Sequence, residues 1–275
     1  MGAILDGIAD GMRESPESRA FVPANLPQPD VDAVVATLRQ REVEVLINFL
    51  PVGSEQAAKF YAECALQAGV ALVNAIPVFI ASDPEWADRF RARGVPIVGD
   101  DFKAQLGATI THRVLSELFR QRGVRLNRTY QLNVGGNTDF LNMQDKQRLD
   151  SKRESKTEAV QATLSERLSD EQIRIGPSDY VPWLNDNKVA YIRMEGALLG
   201  GVPMNLELRL SVEDSPNAAA IALDAIRCAR LALDRGIAGP LLGPAAAMCK
   251  HPPVQMPEEE ALRIMQAFFE GGDPG

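Results

Sequence analysis

The stretch that decides the fold is VEVLINFLPVGSEQAAKFYAECALQAGVALVNAIP, residues 43–77. Val43–Leu50 is an almost continuous apolar run of strand length, as expected of a strand buried in a parallel sheet. Ser54 begins a helical segment that Gly69 ends, and a second apolar run follows at Val70–Ile76. A strand, a helix and a strand joined by short turns predict a parallel sheet covered by helices.

The same alternation continues on both sides of this stretch. Asp30 is a suitable N-cap for a helix that carries Val31 and Leu38, and a helix at Pro84–Arg93 leads into a strand at Val95–Val98. Ligands of such sheets bind beyond the carboxyl ends of the strands. The ligand side is therefore predicted to include residues 51–54, 74–77 and 99–103.

The pattern changes after a long helix predicted at Phe102–Gln121. Strands are predicted at Tyr130–Val134, Val189–Glu195 and Pro203–Val212, and the last two alternate apolar and polar residues. That alternation is typical of antiparallel strands with one face toward solvent or a partner. A charged stretch, Gln144–Arg167, is predicted to form one or two helices.

The chain is predicted to end in helices at Pro216–Arg235 and Pro257–Glu270, with a loop at residues 239–253 between them. These elements predict an α/β fold of two domains. Residues 1–107 and 215–275 form a doubly wound domain, and residues 108–214 form an inserted α+β domain.

Composition excludes several classes of protein. The 275 residues carry 29 Lys and Arg against 37 Asp and Glu, a net charge of −8, which disfavours general binding to nucleic acid or anionic membranes. Three cysteines and two histidines without CxxC or HxxxH spacing disfavour a zinc site, and no apolar run approaches the ~18–20 residues of a membrane span. We expect a cytoplasmic protein.

Lysine is scarce in this chain, with seven among the 29 basic residues. A desolvated ammonium can lose its proton and act in acid–base chemistry, which arginine cannot do. Lys152 and Lys156 stand four residues apart, so a helix would place them on one face. They either flank a bound anion or are ordinary solvated lysines.

Two further groups of polar residues are candidates for the site. Asn133, Asn137 and Asp139 surround the Gly135-Gly136 pair, where the backbone can approach a ligand closely, although an ordinary turn is an equal alternative. Asp100 and Asp101 end a strand at the presumed crevice, or Asp101 caps the next helix. His112 is interpreted as a packed or surface histidine rather than a ligand.

A resemblance to a known family emerges from longer blocks of sequence. NFLPVGSEQAAKFYAECA, VPIVGDDFKAQLGATITHRVL, NVGGNTDFLNM, SKRESKT, VEDSPNAA and MCKHPP follow one another with the spacing of bacterial inositol-3-phosphate synthases. The chain resembles this family from about Leu5 to Phe269. The resemblance implies a Rossmann-like NAD-binding domain with an inserted catalytic and tetramerisation domain.

The resemblance also implies an activity and a set of residues. The family uses NAD to convert glucose 6-phosphate to inositol phosphate by oxidation, enolisation, aldol closure and reduction. The matching catalytic positions are Lys152, Lys156, Lys188, Lys250 and Asp214. Those near the cofactor are Gly53, Ser54, Tyr61, Asn74, Asp101 and Asp139, and those for the substrate are Lys103, Asn133, Asn137 and the lysines 152, 188 and 250. A divalent metal requirement stays open.

Two departures from the family pattern bear on function. The Gly-rich turn that would bind the NAD pyrophosphate is not found in this sequence, and Ala104 stands where the family usually has serine. Without neighbours, Val43–Leu50 would become an edge strand, so we expect an incomplete polypeptide or one that needs a partner. The alternative function is a non-catalytic paralogue or truncated relic that binds sugar phosphates as an oligomeric module.

Overall fold

Two four-stranded sheets organise the part of the chain that the computed structural model describes, residues 30–143, 157–164 and 166–275. In chain order the elements are α1 (Val31–Gln40), β1 (Val45–Asn48), α2 (Glu55–Ala68), β2 (Ala71–Asn74), α3 (Pro84–Arg93), β3 (Pro96–Val98), α4 (Ala108–Gln121), β4 (Arg125–Gly135), α5 (Thr138–Asn142), β5 (Ile173–Tyr180), β6 (Asn187–Ala197), β7 (Pro203–Glu213), α6 (Asp214–Asp234), β8 (Gly239–Pro240), α7 (Leu242–Met248) and α8 (Glu258–Phe269). Residues 157–161 are also helical. Most of the charged stretch Gln144–Arg167, including Lys152 and Lys156, lies outside the described residues.

The first sheet is parallel throughout, in the order β1-β2-β3-β8. Leu72 and Ile97 belong to the apolar cluster formed with α2 and α3 on one face. Ala71, Val73 and Val98 belong to the cluster formed with α6, α7 and α8 on the other. Burial on both faces explains why these strands are almost wholly apolar, and the predicted α/β fold is confirmed.

The predicted helix boundaries around this sheet are also confirmed. Asp30 caps α1 by accepting a hydrogen bond of 2.6 Å from the backbone nitrogen of Ala33. Gly69 and Gly94 end α2 and α3 in the left-handed conformation, at φ of 76° and 79°, which a residue without Cβ adopts at little cost. No helix among the described residues is long and apolar enough to cross a membrane.

The second sheet has the order β5-β4-β6-β7, with β5 parallel to β4 and the other pairs antiparallel. Its inner face packs against α4 through a cluster that includes Phe119, Ile192 and Met194. Its outer face exposes Tyr130, together with Leu132 and Tyr191. The alternation of apolar and polar residues in β6 and β7 thus reflects one covered face and one open face.

The helix predicted from Phe102 begins only at Ala108. The backbone nitrogen of Phe102 donates to the carbonyl oxygen of Ala75 at 3.1 Å, and that of Lys103 donates to Met248 at 2.8 Å. These pairings hold residues 102–103 extended, so α4 starts after Gly107. Asp101 therefore does not cap this helix.

Several short elements, among them β5, β8 and α7, were not predicted. Residues 239–253, predicted as a loop, contain β8 and α7, and the segment before β6 contains β5. Helix α7 has Gly243 and Pro244 near its start, but Ala245 and Ala246 are almost completely buried, so packing outweighs low propensity. Strand β5 contains a Gly-Pro pair that an edge strand tolerates.

An antiparallel clasp joins residues 100–103 to residues 248–251. Asp100 and His251 exchange two backbone hydrogen bonds of 3.0 Å, and the nitrogen of Lys250 donates to the carbonyl oxygen of Asp101 at 2.6 Å. Phe102 and Cys249 form the bridge between them. The clasp brings together two segments whose central residues, Asp101 and Lys250, are 149 positions apart in the sequence.

Buried polar side chains tie the carboxyl ends of β1, β2 and β3 together. Asn48 donates to Asn74 Oδ1 at 2.9 Å, and Asn74 donates to Asp100 Oδ1 at 2.7 Å. The Asp100 carboxylate also accepts hydrogen bonds from the backbone of residues 80–82 and from the Ser82 hydroxyl. Asp100 therefore holds the loop after β2 against the end of β3 and does not face the crevice, contrary to the prediction.

We predict that Asp100→Asn destabilises the fold. The amide would place an N–H group among five hydrogen-bond donors, and the unpaired donors should lower the free energy of unfolding by about 3 kcal/mol. Urea denaturation measures this change, and the exposed Asp88→Asn on α3 is the matched control. Equal unfolding midpoints for the two variants would contradict the role given to Asp100.

Candidate functional site

A cavity of about 700 Å³ opens between the carboxyl ends of β1 and β2 and the second sheet. One part of its lining is apolar and includes Ile47, Phe49 and Ile226. The other part is polar and contains seven of the predicted site residues, which come from six separate segments of the chain: Asp101, Asn133, Asn137, Asp139, Lys188, Asp214 and Lys250. The structure thus brings residues from across the sequence to one cavity.

Lys250 and Asp101 form the first ion pair of the cavity. Lys250 Nζ lies 2.7 Å from Asp101 Oδ1 and also donates to the carbonyl oxygen of Phe102. The side chains are 13% and 5% exposed, so water screens this pair only weakly. The clasp positions both residues, because their backbones are paired with each other.

Lys188 and Asp214 form the second ion pair. Lys188 Nζ, on β6, lies 3.0 Å from Asp214 Oδ1 at the first residue of α6. Asn137 Nδ2 donates to the other Asp214 oxygen at 3.3 Å. The ammonium also lies 5.8 Å from the centre of the Phe140 ring, within cation–π range.

Asp186, which the sequence analysis did not single out, fixes the start of α6. Its carboxylate accepts hydrogen bonds from the backbone nitrogen and the hydroxyl of Ser215, at 2.9 and 2.7 Å, and from Asn137 at 3.2 Å. Partial burial opposes the charged form, yet these hydrogen bonds leave the pKa of Asp186 lowered. Its position next to a helix N-terminus could have been recognised only from the tertiary structure.

The Gly135-Gly136 pair serves close packing within the protein. A Cβ at Gly135 would lie 2.5 Å from the Phe140 ring, and one at Gly136 would lie 2.5 Å from the carbonyl oxygen of Val181. The absence of side chains therefore lets β4 lie directly against α5 and the segment after β5. The backbone at this glycine pair was expected to approach a ligand closely, but it approaches other parts of the protein instead.

Four of the predicted cofactor positions do not line the cavity: Gly53, Ser54, Tyr61 and Asn74. Asn74 is fully buried, and its amide donates to Asp100 and to two backbone oxygens. Tyr61 is half-buried on α2, and burial raises its pKa. The buried Ser54 hydroxyl has no hydrogen-bond partner among the described residues, and although Ser54 stands at the start of α2, its side chain does not cap that helix.

Lys103, predicted to bind substrate, lies in a sealed ion cluster away from the cavity lining. Lys103 Nζ is 2.9 Å from Glu258 Oε1, and Glu258 also accepts a hydrogen bond from Arg113. Burial lowers the pKa of Lys103 to about 8, with Glu258 opposing the shift. Arg113 further donates to the carbonyl oxygens of Ala159 and Met256, so this cluster joins α4 to two other parts of the chain.

His112, on α4, is packed against β4. Of the two predicted environments, packed or surface, the packed one is confirmed. Its side chain is completely buried and contacts Gln131 and Thr129. Burial lowers the pKa of His112 to about 4, against the effect of the Gln131 hydrogen bond. No group of three or more His, Cys, Asp or Glu residues that could hold a metal ion occurs in the part of the chain that is described.

Comparison with known proteins gives a consistent result. Residues 107–215 match the sequence profile of myo-inositol-1-phosphate synthase. The chain is 53% identical over 274 residues to the inositol-3-phosphate synthase of Mycolicibacterium smegmatis, covering 98% of this chain and 73% of the relative. Identity to the enzyme of Corynebacterium glutamicum is 52% over 273 residues, with the same coverage. A myo-inositol-1-phosphate synthase-related protein from Thermotoga maritima has a TM-score of 0.75 at 25% identity, covering 89% and 70% of the two chains.

We predict that burial of His112 makes stability depend on pH. The unfolded chain binds a proton on this residue near pH 6.5, whereas the folded chain binds it only near pH 4. The free energy of unfolding should therefore fall as the pH is lowered through this window, by up to about 3 kcal/mol. The measurement is urea denaturation between pH 7 and pH 4 of the wild type and His112→Asn, because the carboxylates common to both cancel. Parallel curves would contradict the prediction.

Proposed function

The chain belongs to the inositol-3-phosphate synthase family, and from this we propose that it binds glucose 6-phosphate at the cavity and NAD beside it, at the start of α2, and forms 1D-myo-inositol 3-phosphate. The relatives by which the family is established are named as synthases of inositol 3-phosphate. The substrate, the cofactor and the residue roles given below are our proposal for this chain.

The observation that carries the proposal is the presence of two lysine–aspartate pairs in one cavity. Lys250–Asp101 and Lys188–Asp214 border the same space of about 700 Å³, next to Asn133 and Asn137. A phosphorylated sugar needs cationic donors for its phosphate and hydrogen-bonding groups for its hydroxyls. The cavity supplies both kinds of group.

The two lysines differ in how many protons remain for a substrate. An ammonium carries three N–H donors. Lys250 uses two of them, on Asp101 and on the carbonyl oxygen of Phe102, and Lys188 uses one, on Asp214, among contacts with the described residues. We therefore assign Lys188 to the more highly charged part of the substrate and Lys250 to a single oxygen that gains negative charge during the reaction.

The adjacent carboxylates complete the proton transfer that cyclisation requires. Enolisation removes a proton from carbon next to a carbonyl group, and aldol closure returns a proton to an oxygen. Asp101 Oδ1 and Lys250 Nζ are in hydrogen-bond contact, as are Asp214 Oδ1 and Lys188 Nζ. Each pair can thus accept a proton at one atom and donate one from the other. By resemblance, Lys152 and Lys156 are proposed to take part as well.

The residues beside β1 fit the dinucleotide cofactor. The buried Ser54 hydroxyl, without a partner among the described residues, lies at the N-terminus of α2 and offers a donor to an anionic group. Gly53 adopts φ of 93°, which turns the backbone toward that helix. We propose that Gly53 and Ser54 hold NAD, with Asp139 and the apolar wall nearer the reacting sugar, while Tyr61 stays a cofactor contact by resemblance. NAD, when bound, supplies the reversible hydride transfer that oxidation and reduction of the sugar need.

We predict that Lys188→Ala and Lys250→Ala each lower turnover of glucose 6-phosphate with added NAD at least about 100-fold, because each removes a charge next to a developing oxyanion. The measurement is product formation by the purified chain. Lys59→Ala is the matched control, since Lys59 lies in an exposed ion pair with Glu55 on α2. Unchanged turnover in either cavity variant would refute the site assignment.

The same assay separates the enzyme from a non-catalytic module. Binding of glucose 6-phosphate without turnover by the wild-type chain, with or without NAD, would favour the sugar-phosphate-binding module instead. Binding is measured by calorimetry under the conditions of the turnover assay.

We further propose that residues 108–214 form an inserted domain that assembles the protein into a homotetramer. The family profile covers nearly the same residues, 107–215, which supports the division. The outer face of the second sheet exposes Tyr130, Leu132 and Tyr191 side by side on paired strands β4 and β6. Clustered apolar side chains on an open sheet face are typical of an interface.

We predict that Tyr191→Lys shifts the protein toward smaller assemblies, because a charge on this face would be desolvated on association. Light scattering coupled to size-exclusion chromatography measures the mass. Leu262→Lys, on the exposed side of α8, is the control. A wild-type chain that is monomeric at all concentrations would contradict the assembly.

The cellular setting is proposed from the cysteines. Cys64, Cys228 and Cys249 are all free and buried, which suits a reducing compartment. We therefore propose the cytoplasm.

A further inference from the structure

A chain of buried hydrogen bonds runs from the inner face of the second sheet to the wall of the cavity. His112, on α4, lies at its centre. His112 Nδ1 is 3.2 Å from Gln131 Oε1, and His112 Nε2 is 2.9 Å from Thr129 Oγ1. Gln131 lines the cavity, as does Asn133 two residues further along β4. The histidine itself does not line it.

Both ends of this chain are backbone carbonyl oxygens, which can only accept hydrogen bonds. At one end, the Thr129 hydroxyl donates to the carbonyl oxygen of Arg193 at 2.7 Å. At the other end, Asn133 Nδ2 donates to that of Gly176 at 2.8 Å. Asn133 must therefore keep its amide nitrogen toward Gly176, which leaves its oxygen to accept from Gln131 Nε2 at 3.3 Å.

The fixed orientation of Asn133 favours a proton on Nδ1 of His112, because an unprotonated Nδ1 would face the oxygen of Gln131, whereas the Thr129 hydroxyl can divide its proton between two acceptors. Because Gln131 directs its nitrogen to Asn133, its oxygen faces His112, and only a protonated Nδ1 can donate to it. The buried ring is neutral near pH 7, so Nε2 is then an acceptor for the Thr129 hydroxyl. The single proton of Thr129 is shared between this nitrogen and Arg193.

We propose that His112 is a positioning residue for substrate binding, whose Nδ1–H holds the amides of Gln131 and Asn133 in the orientation that leaves one N–H on each for the ligand. Each amide nitrogen carries two protons and donates one of them within this series of hydrogen bonds. For the second proton, the described residues provide no acceptor. Both side chains are almost wholly buried but line the cavity, so the wall formed by β4 offers donors to the phosphate and hydroxyl oxygens of a sugar phosphate that fills it. The identity of that ligand rests on the proposed function, whereas the position of the proton does not.

The first test reads the proton directly in the unmodified protein. Long-range ¹H–¹⁵N correlation spectra of histidine-labelled wild-type chain at pH 7 distinguish the two neutral tautomers, and His112→Asn assigns the signal. The expected result is a neutral ring protonated at Nδ1. A ring protonated at Nε2 would overturn the proposal whether or not the chain is an enzyme.

The second test uses two substitutions of similar size and polarity. Asparagine at position 112 places an amide nitrogen near the position of Nδ1, whereas glutamine reaches that of Nε2 and loses the donor to Gln131. Calorimetry with glucose 6-phosphate should give His112→Asn an affinity within about twofold of wild type and His112→Gln an affinity lower by about fivefold to tenfold, the effect of one hydrogen bond. If turnover is present, the loss should appear in KM rather than kcat.

The outcomes separate this proposal from the proposed function. Equal affinities of the two variants, with thermal unfolding showing both folded, would overturn the positioning role. Absence of glucose 6-phosphate binding by the wild type would reject the proposed ligand. In that case the two variants are compared by calorimetry with inorganic phosphate. The proposal requires that His112→Gln bind phosphate more weakly than His112→Asn.

Discussion

The clasp between residues 100–103 and 248–251 is the interaction on which the candidate site depends. Its backbone hydrogen bonds place Lys250 beside Asp101 and seat Lys103 next to the last part of the chain. Backbone hydrogen bonds fix which residues stand opposite each other. Lys250 Nζ and Asp101 Oδ1 therefore lie 2.7 Å apart, although the two residues are 149 positions apart in the sequence. Both the cavity pair and the sealed cluster around Glu258 follow from this one contact between distant segments.

Burial separates three of the described lysines into two classes. Lys188 and Lys250, 24% and 13% exposed, border the cavity and are balanced by one aspartate each. Lys103, 1% exposed, shares Glu258 with Arg113, and moving it toward a ligand would leave a buried carboxylate partly uncompensated. The first two can exchange part of their pairing for a bound anion, whereas the third stabilises the junction between α4 and α8.

The second sheet contributes to the site in a different way. Its inner face carries Thr129, Gln131 and Asn133 at alternate positions of β4, all three are buried, and the last two also line the cavity. Buried polar side chains must pair their donors and acceptors with one another. The orientation of each side chain in the hydrogen-bonded series therefore constrains that of the next. A histidine in the middle of such a series affects the cavity wall although it does not reach the cavity.

Much of the fold was predictable because it rests on local and periodic signals. Apolar runs of strand length, Asp30 at a helix start, and Gly69 and Gly94 at helix ends predict three strands of the parallel sheet to within about two residues at each end. Two of the elements that were missed, β5 and α7, combine weak local propensity with strong burial or edge pairing. The start of α4 was misplaced because the preceding residues are held by the clasp, a contact that no local pattern reveals.

The sequence by itself determined the fold class, the family and the identity of seven polar residues that border one cavity, since these follow from periodicity, capping and long motif blocks. Only the tertiary structure decided which of them meet. It moved Lys103, Asn74 and Asp100 into buried structural networks and brought in Asp186 and Gln131. The physical reason is that motif spacing specifies residue types along the chain, whereas hydrogen-bond pairing and burial of charge are settled between segments that the sequence separates.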